Sequence, residues 1–319
     1  MSAWISPFGS QIERFLTHKR SLGFVYYREE AFLREFDGFA ARAQESALSE
    51  SLVRAYLSTV SEPSRSHRLT LIRQLARFLI VEEPFTFVPP TRFLGIRRRR
   101  PVIRVLSRAE ARRFLDACDR LPDTSPFPRR LIHGTALRVL LLTGLRRGEA
   151  LGLREQDVDL TDGVLTVQHG KFGKTRFVPL APDLTHRLQA YRQSVVAQLD
   201  PRRSSDPFFP RSDGHQPTSR SHLYRSFRLA LELAGIEHQG RGEGPRLHDL
   251  RHTFAVLRLL SWYEGDADLG VKLPLLATYL GHMGMATSQV YLHMTRDLVG
   301  EVTRRQLDYF GELITEAAP

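Results

Sequence analysis

Cysteine is almost missing from this 319-residue chain: Cys118 stands alone, which rules out an internal disulfide framework and suits a reducing compartment. Cys118 itself reads as a small core residue on a helix. Lysine is nearly as scarce. Of 46 basic residues only positions 19, 171, 174 and 272 are lysine, and the other 42 are arginine. A GC-rich genome accounts for most of that bias, yet two of the four lysines stand close together at 171 and 174. Arginine cannot release its proton, so a lysine in such a chain marks a place where a titratable amine can be used. No apolar run approaches the ~18 residues that a membrane helix needs. The longest, around Val139 to Leu142, is a piece of a core helix. No basic segment followed by an apolar one opens the chain, so no secretory signal is visible, and the expected location is cytoplasmic, with the nucleoid. There is no Walker-type phosphate loop and no acidic cluster for a pair of magnesium ions, so neither cofactor nor metal is expected.

What is plentiful is positive charge. The formal net charge is +11 and the isoelectric point is near 10.2. That balance favours a polyanionic partner, with nucleic acid the commonest and a membrane not expected. The length is too great for one ordinary domain and reads as two. Residues 1–88 read as an all-helical unit, with apolar residues at three- and four-residue spacing in 12–22, 31–43, 52–60 and 69–81. In the last segment Leu71, Leu75, Phe78 and Leu79 share one face. Arg68, Arg73 and Arg77 are expected elsewhere on the surface, where they suit phosphate contact.

Residues 89–105 read as a basic, proline-rich linker. Pro89, Pro90 and Pro101 break helices, and Arg97, Arg98, Arg99 and Arg100 form an unbroken run able to lie across a phosphate backbone. A second domain, 106–319, opens with the capping box Ser107–Glu110. A strongly apolar helix, 131–143, ends at Gly144. The stretch from Val158 to Leu180 then alternates around two turn signals, Asp162-Gly163 and 170–173. It predicts three short antiparallel strands with Lys171 in the second turn. Helices are expected again over 184–199, 219–233, 248–262, 273–280, 287–293 and 297–314. The expected fold class is mainly α with a small antiparallel β-sheet.

Four stretches place polar groups within otherwise apolar elements. In LLLTGLRRGEALGL, Arg146 sits where the chain re-enters a helix, at an N-terminus that favours an anion. Lys171 lies in the hairpin. LHDLRHTFAVLRLL puts His248 and Arg251 on one helical face with His252 beside them. LGHMGMATSQVYLH carries His282 and, nine residues on, Tyr291. Two arginines, a lysine, two histidines and one phenol suit phosphoryl transfer without metal. Guanidinium forks hold the non-bridging oxygens of a phosphodiester and stabilise the charge that builds on them. A phenol needs that field and a nearby base to act as nucleophile. An imidazole can take its proton, and an ammonium can supply one to the departing sugar oxygen.

The order TGLR-x-x-E, GK, HxLRH, LGH and Y closely resembles the tyrosine recombinases, or phage-integrase family, strongly over 131–294 and weakly over 10–88. The resemblance implies an N-terminal four-helix, SAM-like core-binding domain and a mixed α/β catalytic domain. It makes Arg146, Lys171, His248, Arg251 and His282 the catalytic set, Tyr291 the nucleophile and Glu149 a structural acidic position behind the first arginine. It further implies a 3′-phosphotyrosine intermediate on duplex DNA with specific core sites. The expected working form is a homo- or hetero-tetramer on two DNA sites, with accessory recombinases as candidate partners and the 297–314 tail helix docking on a neighbouring subunit. The stretch between His252 and His282 is longer than the common family version, which points to a mobile-element member.

Rival readings are a DNA-binding protein of the same fold without strand transfer and a relaxing enzyme of the type IB topoisomerase kind. His248 and His252 have the spacing of zinc ligands, but no glutamate lies between them as in HExxH, and Arg251 in the same turn repels a cation. The phenols Tyr263 and Tyr279 lie on leucine-rich helices and are expected in the core.

Overall fold

The computed structural model describes residues 4–96, 102–123, 128–168, 175–196, 198–199, 202–238, 240 and 244–281. The chain folds as two compact units, Met1–Arg100 and Pro101–Pro319.

Four helices build the first unit: α1 (Gly9–Ser21), α2 (Tyr27–Ala43), α3 (Glu50–Thr59) and α4 (Glu62–Leu79). Each buries one apolar stripe, Ile12, Phe15 and Leu16 from α1, Leu33 and Phe36 from α2, Leu52, Val53 and Tyr56 from α3, and Ile72 and Leu75 from α4. Ser49 caps α3 by accepting from the Leu52 amide at 3.2 Å, and Pro63 takes the first turn of α4, where its missing N–H is harmless.

One arginine of α4 departs from the expected surface position, and a second is tied to the segment that follows the helix. Arg68 is buried. It donates to the Tyr56 hydroxyl at 3.1 Å, pairs with Glu35 at 2.7 Å and lies 3.6 Å above the Phe32 ring. A guanidinium can be taken from water when a carboxylate, a hydroxyl and an aromatic face replace it, and α2 and α3 supply those three groups. Arg73 donates from Nε to the Pro89 carbonyl at 2.7 Å and from Nη2 to that of Pro90. Three residues further on, Phe93 is buried in the core of this unit. The basic run Arg97 to Arg100 lies outside the described residues.

The second unit begins with α5 (Arg108–Asp119), started by the capping box that Ser107 and Glu110 complete in both directions. Its middle is α6 (Arg129–Thr143), buried along most of its circumference through Ile132, Ala136, Leu137, Val139 and Leu140. Gly144 ends it in the left-handed conformation at φ +64°. The short α7 (Arg147–Gly152) leads into three antiparallel strands in the order β1 (Val158–Asp159), β2 (Val164–Val167) and β3 (Arg176–Pro179). Leu165 pairs with Val178 and Val167 with Arg176. The three-strand expectation therefore holds, and so does the fold class.

Helices α8 (Pro182–Val196), α9 (Arg220–Leu233), α10 (Asp249–Glu264) and α11 (Leu269–Leu280) follow. The last begins four residues earlier than the sequence predicts. Pro274, the second residue of the expected 273–280 helix, sits inside the observed one. Asp268 opens that extra turn, its side chain accepting from the Gly270 amide at 2.7 Å. The helices expected over 287–293 and 297–314 lie outside the described residues. Cys118 is buried on α5, and desolvation pushes its thiol up to about 12.

Candidate active site

Gly144 ends α6 so abruptly that Arg146, two residues later, is already the N-cap of α7. Its backbone N–H donates to Glu149 Oε2 at 2.9 Å, and its Nη1 to Glu149 Oε1 at 2.6 Å. The other terminal nitrogen, Nη2, donates to the carbonyl of Gly281 at 3.0 Å. Glu149 therefore fixes Arg146 from below, as an acidic position behind an arginine should.

Arg251, in the first turn of α10, is one of the largest fully buried side chains among the described residues. It reaches across to two helix ends: Nη1 donates to Gly144 O at 2.8 Å and Nη2 to Leu280 O at 2.6 Å. Arg251 and Arg146 thus hold successive carbonyls at the end of α11, those of Leu280 and Gly281. Carbonyls at a helix C-terminus lack intrahelical donors and carry the negative end of the helix dipole, so cations suit them.

His248 is the N-cap of α10 and opens to solvent. Desolvation by the surrounding protein, then Arg251, lowers its pKa below the ordinary histidine value, and Arg146 acts in the same sense. His252 lies one turn on, its ring edge-to-face with that of His248 at 4.9 Å between centroids. Burial first, then His248, holds its pKa down to about 4. Both rings are therefore neutral at pH 7. Asp249 between them is buried and accepts from the Arg246 backbone and guanidinium at 2.7 to 3.1 Å, which locks the start of α10.

The structure thus brings together Arg146, His248 and Arg251 around the Gly144 turn and the end of α11. Lys171, His282 and Tyr291 lie outside the described residues. Of the rival phenols, Tyr279 is half-buried and packs against the core, stacked on Phe254 at 5.5 Å with its hydroxyl pushed by burial to about 12. Tyr263 is not: it is 44% exposed near the end of α10.

One residue of the cluster escapes the motif reading. Arg176, the first residue of β3, donates from Nη1 and Nη2 to the two oxygens of Glu149 at 3.1 and 2.7 Å. Its Nε donates to Tyr279 O at 2.9 Å. A signal for it exists in the alternation of the strand. Arg176 shares a face with buried Val178, while Phe177 between them is 69% exposed. An arginine on the core face of a strand requires a buried acceptor, and Glu149 is that acceptor. Burial pushes the Glu149 carboxyl up, but the bonds from Arg176 and Arg146 outweigh it and hold the pKa at about 2.

Residues 104–297 match the model of the phage integrase family. A Sinorhizobium fredii protein named as an integrase/recombinase, y4rB, is 31% identical over 314 residues, covering 94% of this chain and 97% of that one. The tyrosine recombinase XerD of Lacticaseibacillus casei is 30% identical over 237 residues, 74% of either chain. In fold, the chain is similar to the XerH site-specific recombinase, solved in a post-cleavage complex with its palindromic difH substrate. The TM-score is 0.62 at 20% identity, over 85% of this chain and 77% of that one. With its motif order, its two-unit fold and the matched span in agreement, the chain belongs to the phage integrase family and is a tyrosine-type site-specific DNA recombinase.

Proposed function

We propose that this recombinase cleaves and rejoins duplex DNA at short specific core sites through a covalent 3′-phosphotyrosine bond to Tyr291. The observation that carries this reading is the pair Arg146 and Arg251, which hold the carbonyls of Gly281 and Leu280 immediately before His282. Two guanidinium groups set on adjacent backbone atoms provide a paired cationic cradle for one phosphodiester. His248, neutral at pH 7, is able to accept the phenol proton. The phenol oxygen of Tyr291 attacks phosphorus, the bond to the 5′ oxygen breaks, and Lys171 supplies that oxygen with a proton. His282 supports the phosphate. The phosphotyrosine keeps the energy of the broken bond, so resealing by a 5′-hydroxyl needs no nucleotide.

Exchange between two duplexes breaks four strands, so the working assembly is a homo- or hetero-tetramer of four such chains on two sites, with accessory recombinases as further partners. The segment after residue 296 couples the subunits. Arg97 to Arg100 contact phosphates, which gives affinity without base specificity. The role we assign is integration, excision or resolution of a mobile element.

The test is a set of nicked suicide duplexes tiled across the DNA flanking the element that carries the gene. They are incubated with wild type or Tyr291→Phe in EDTA without ATP. A protein–DNA adduct on a denaturing gel, formed by wild type and absent from the variant, is the expected result. Tight binding with no adduct would sink strand transfer in favour of a DNA-binding role. Relaxation of supercoiled plasmid by the monomer, without site preference, would favour a topoisomerase-like enzyme.

A further inference from the structure

Arg176 is absent from the motif set, yet it occupies the middle of the cluster. It pairs with Val167 at the last rung of the β2–β3 ladder, and its side chain is only 13% exposed. Glu149, 9% exposed, accepts Arg176 on both oxygens and Arg146 on Oε1. One carboxylate thus carries two guanidinium groups. Those two groups also hold Tyr279 O and Gly281 O, the carbonyls on either side of the one held by Arg251.

Charge arithmetic gives this arrangement a consequence. Arg146 with Glu149 alone is a neutral pair, and its field at a bound phosphate largely cancels. Arg176 restores a net single positive charge to the group, in a place where water screens little. It also shares the carboxylate, so Arg146 is not drawn wholly onto Glu149. Lysine could match the charge, but not the three bonds in one plane.

We propose that Arg176 is a positioning residue for strand cleavage: through Glu149 it keeps Arg146 turned toward the scissile phosphate with its charge uncancelled, and through Tyr279 O it holds the end of α11 against the same carboxylate. This rests on the reading of Arg146 and Tyr291 given above. Arg176 acts through Arg146 and does not itself touch the DNA.

The experiment measures single-turnover adduct formation on the suicide duplex between pH 5 and 9, with DNA affinity and thermal melting on the same samples. Wild type, Arg176→Gln, Arg176→Lys, Glu149→Gln and the Arg176→Gln/Glu149→Gln double variant are compared. For Arg176→Gln the expected result is DNA affinity within about threefold of wild type and cleavage slowed about a hundredfold. Its loss lessens toward low pH, because the Glu149 carboxyl, no longer held near 2, takes up a proton and stops cancelling the charge of Arg146. Arg176→Lys regains about tenfold of the rate by restoring the charge. In the Glu149→Gln background, removing Arg176 costs less than about threefold more, since both residues act through Arg146.

A wild-type rate for Arg176→Gln overturns the inference alone, provided wild type forms its Tyr291-dependent adduct. So does a loss equal at every pH, tracking the fall in folded fraction and not relieved by lysine, which would assign Arg176 to the fold only. No adduct from wild type overturns the reading of Tyr291 and this inference with it.

Discussion

Arg251 Nη2 and the carbonyl of Leu280, 29 residues apart in sequence, meet at 2.6 Å. The other arm of the same guanidinium holds Gly144 O at 2.8 Å. One buried side chain therefore ties the C-terminal ends of α6 and α11 to the first turn of α10. Both acceptors belong to helix ends whose carbonyls need donors, and a planar fork reaches two of them at once. The residue that the motif assigns to phosphate chemistry is also a structural brace for the turn that leads to His282.

Arg251→Lys should therefore lose stability as well as cleavage. An ammonium cannot span both carbonyls, and a buried acceptor left without its charged donor costs about 1–3 kcal/mol. The expected loss is about 2–4 kcal/mol in the second unit, from two such acceptors. The chain has two tryptophans, Trp4 in the first unit and Trp262 in the second, so a Trp4→Phe background reports the second unit alone. Urea unfolding followed at Trp262 measures the effect, and a midpoint unchanged by the substitution would remove the bracing role.

Gly144→Ala is expected to damage the same place from the backbone side. At φ +64° a side chain is strained. The added carbon would also stand 2.6 Å from the Phe254 ring and 2.9 Å from Leu280. Strain and overpacking together should cost about 2–4 kcal/mol. In the Trp262 assay this variant should be at least as destabilised as Arg251→Lys, while Gly148→Ala, whose added carbon meets nothing within 4 Å, should stay close to wild type.

Much of this was legible along the chain because the signals are local. The Ser107–Glu110 capping box, the stop at Gly144 and the Asp162-Gly163 turn each need only neighbouring residues, and each is found in place. The pairing of His248 with Arg251 follows from helical spacing alone. Arg68 was not legible in that way, and for Arg176 the alternation of β3 marks the buried face but not the partner. Burial of an arginine depends on a partner from another element, Glu35 and Tyr56 for one and Glu149 for the other. Nothing within either helix or strand announces that partner. Tyr263 is the converse case. A leucine-rich helix predicts burial for its aromatics, but the end of α10 runs into solvent.

The two neutral histidines give the fold a specific acid sensitivity. His252 has a folded pKa of about 4 against an ordinary value of 6.5. As pH falls from 6.5 the unfolded chain takes up this proton first, so stability rises with pH throughout that window. The contribution is fully present above pH 6.5 and fully lost below about 4. Its ceiling is roughly 3 kcal/mol for this ring, and His248, lowered in the same direction, adds to the slope. His252→Asn should flatten the stability profile of the second unit between pH 4 and 6.5. Equal slopes for wild type and variant in the Trp262 assay would mean that His252 is not held neutral by the fold.

Arg68 offers a direct choice between two roles for a basic residue on a DNA-binding chain. If it contacted phosphate from the surface, Arg68→Met would leave the fold intact and reduce the salt slope of DNA binding by about one ion. The observed geometry predicts the opposite. Its guanidinium lies against Phe32, bonded to Tyr56 and paired with Glu35, so methionine fills part of the volume but leaves the Tyr56 hydroxyl without its donor. Tyr56 is itself buried enough that desolvation pushes its phenol to about 12. The first unit, followed through Trp4 in a Trp262→Phe background, should lose about 1–3 kcal/mol. The salt slope, measured at a temperature where the variant is fully folded, should match wild type. A lower slope with unchanged stability would return Arg68 to the DNA surface. Arg77, which carries no ion pair among the described residues, is the control whose substitution should spare the fold.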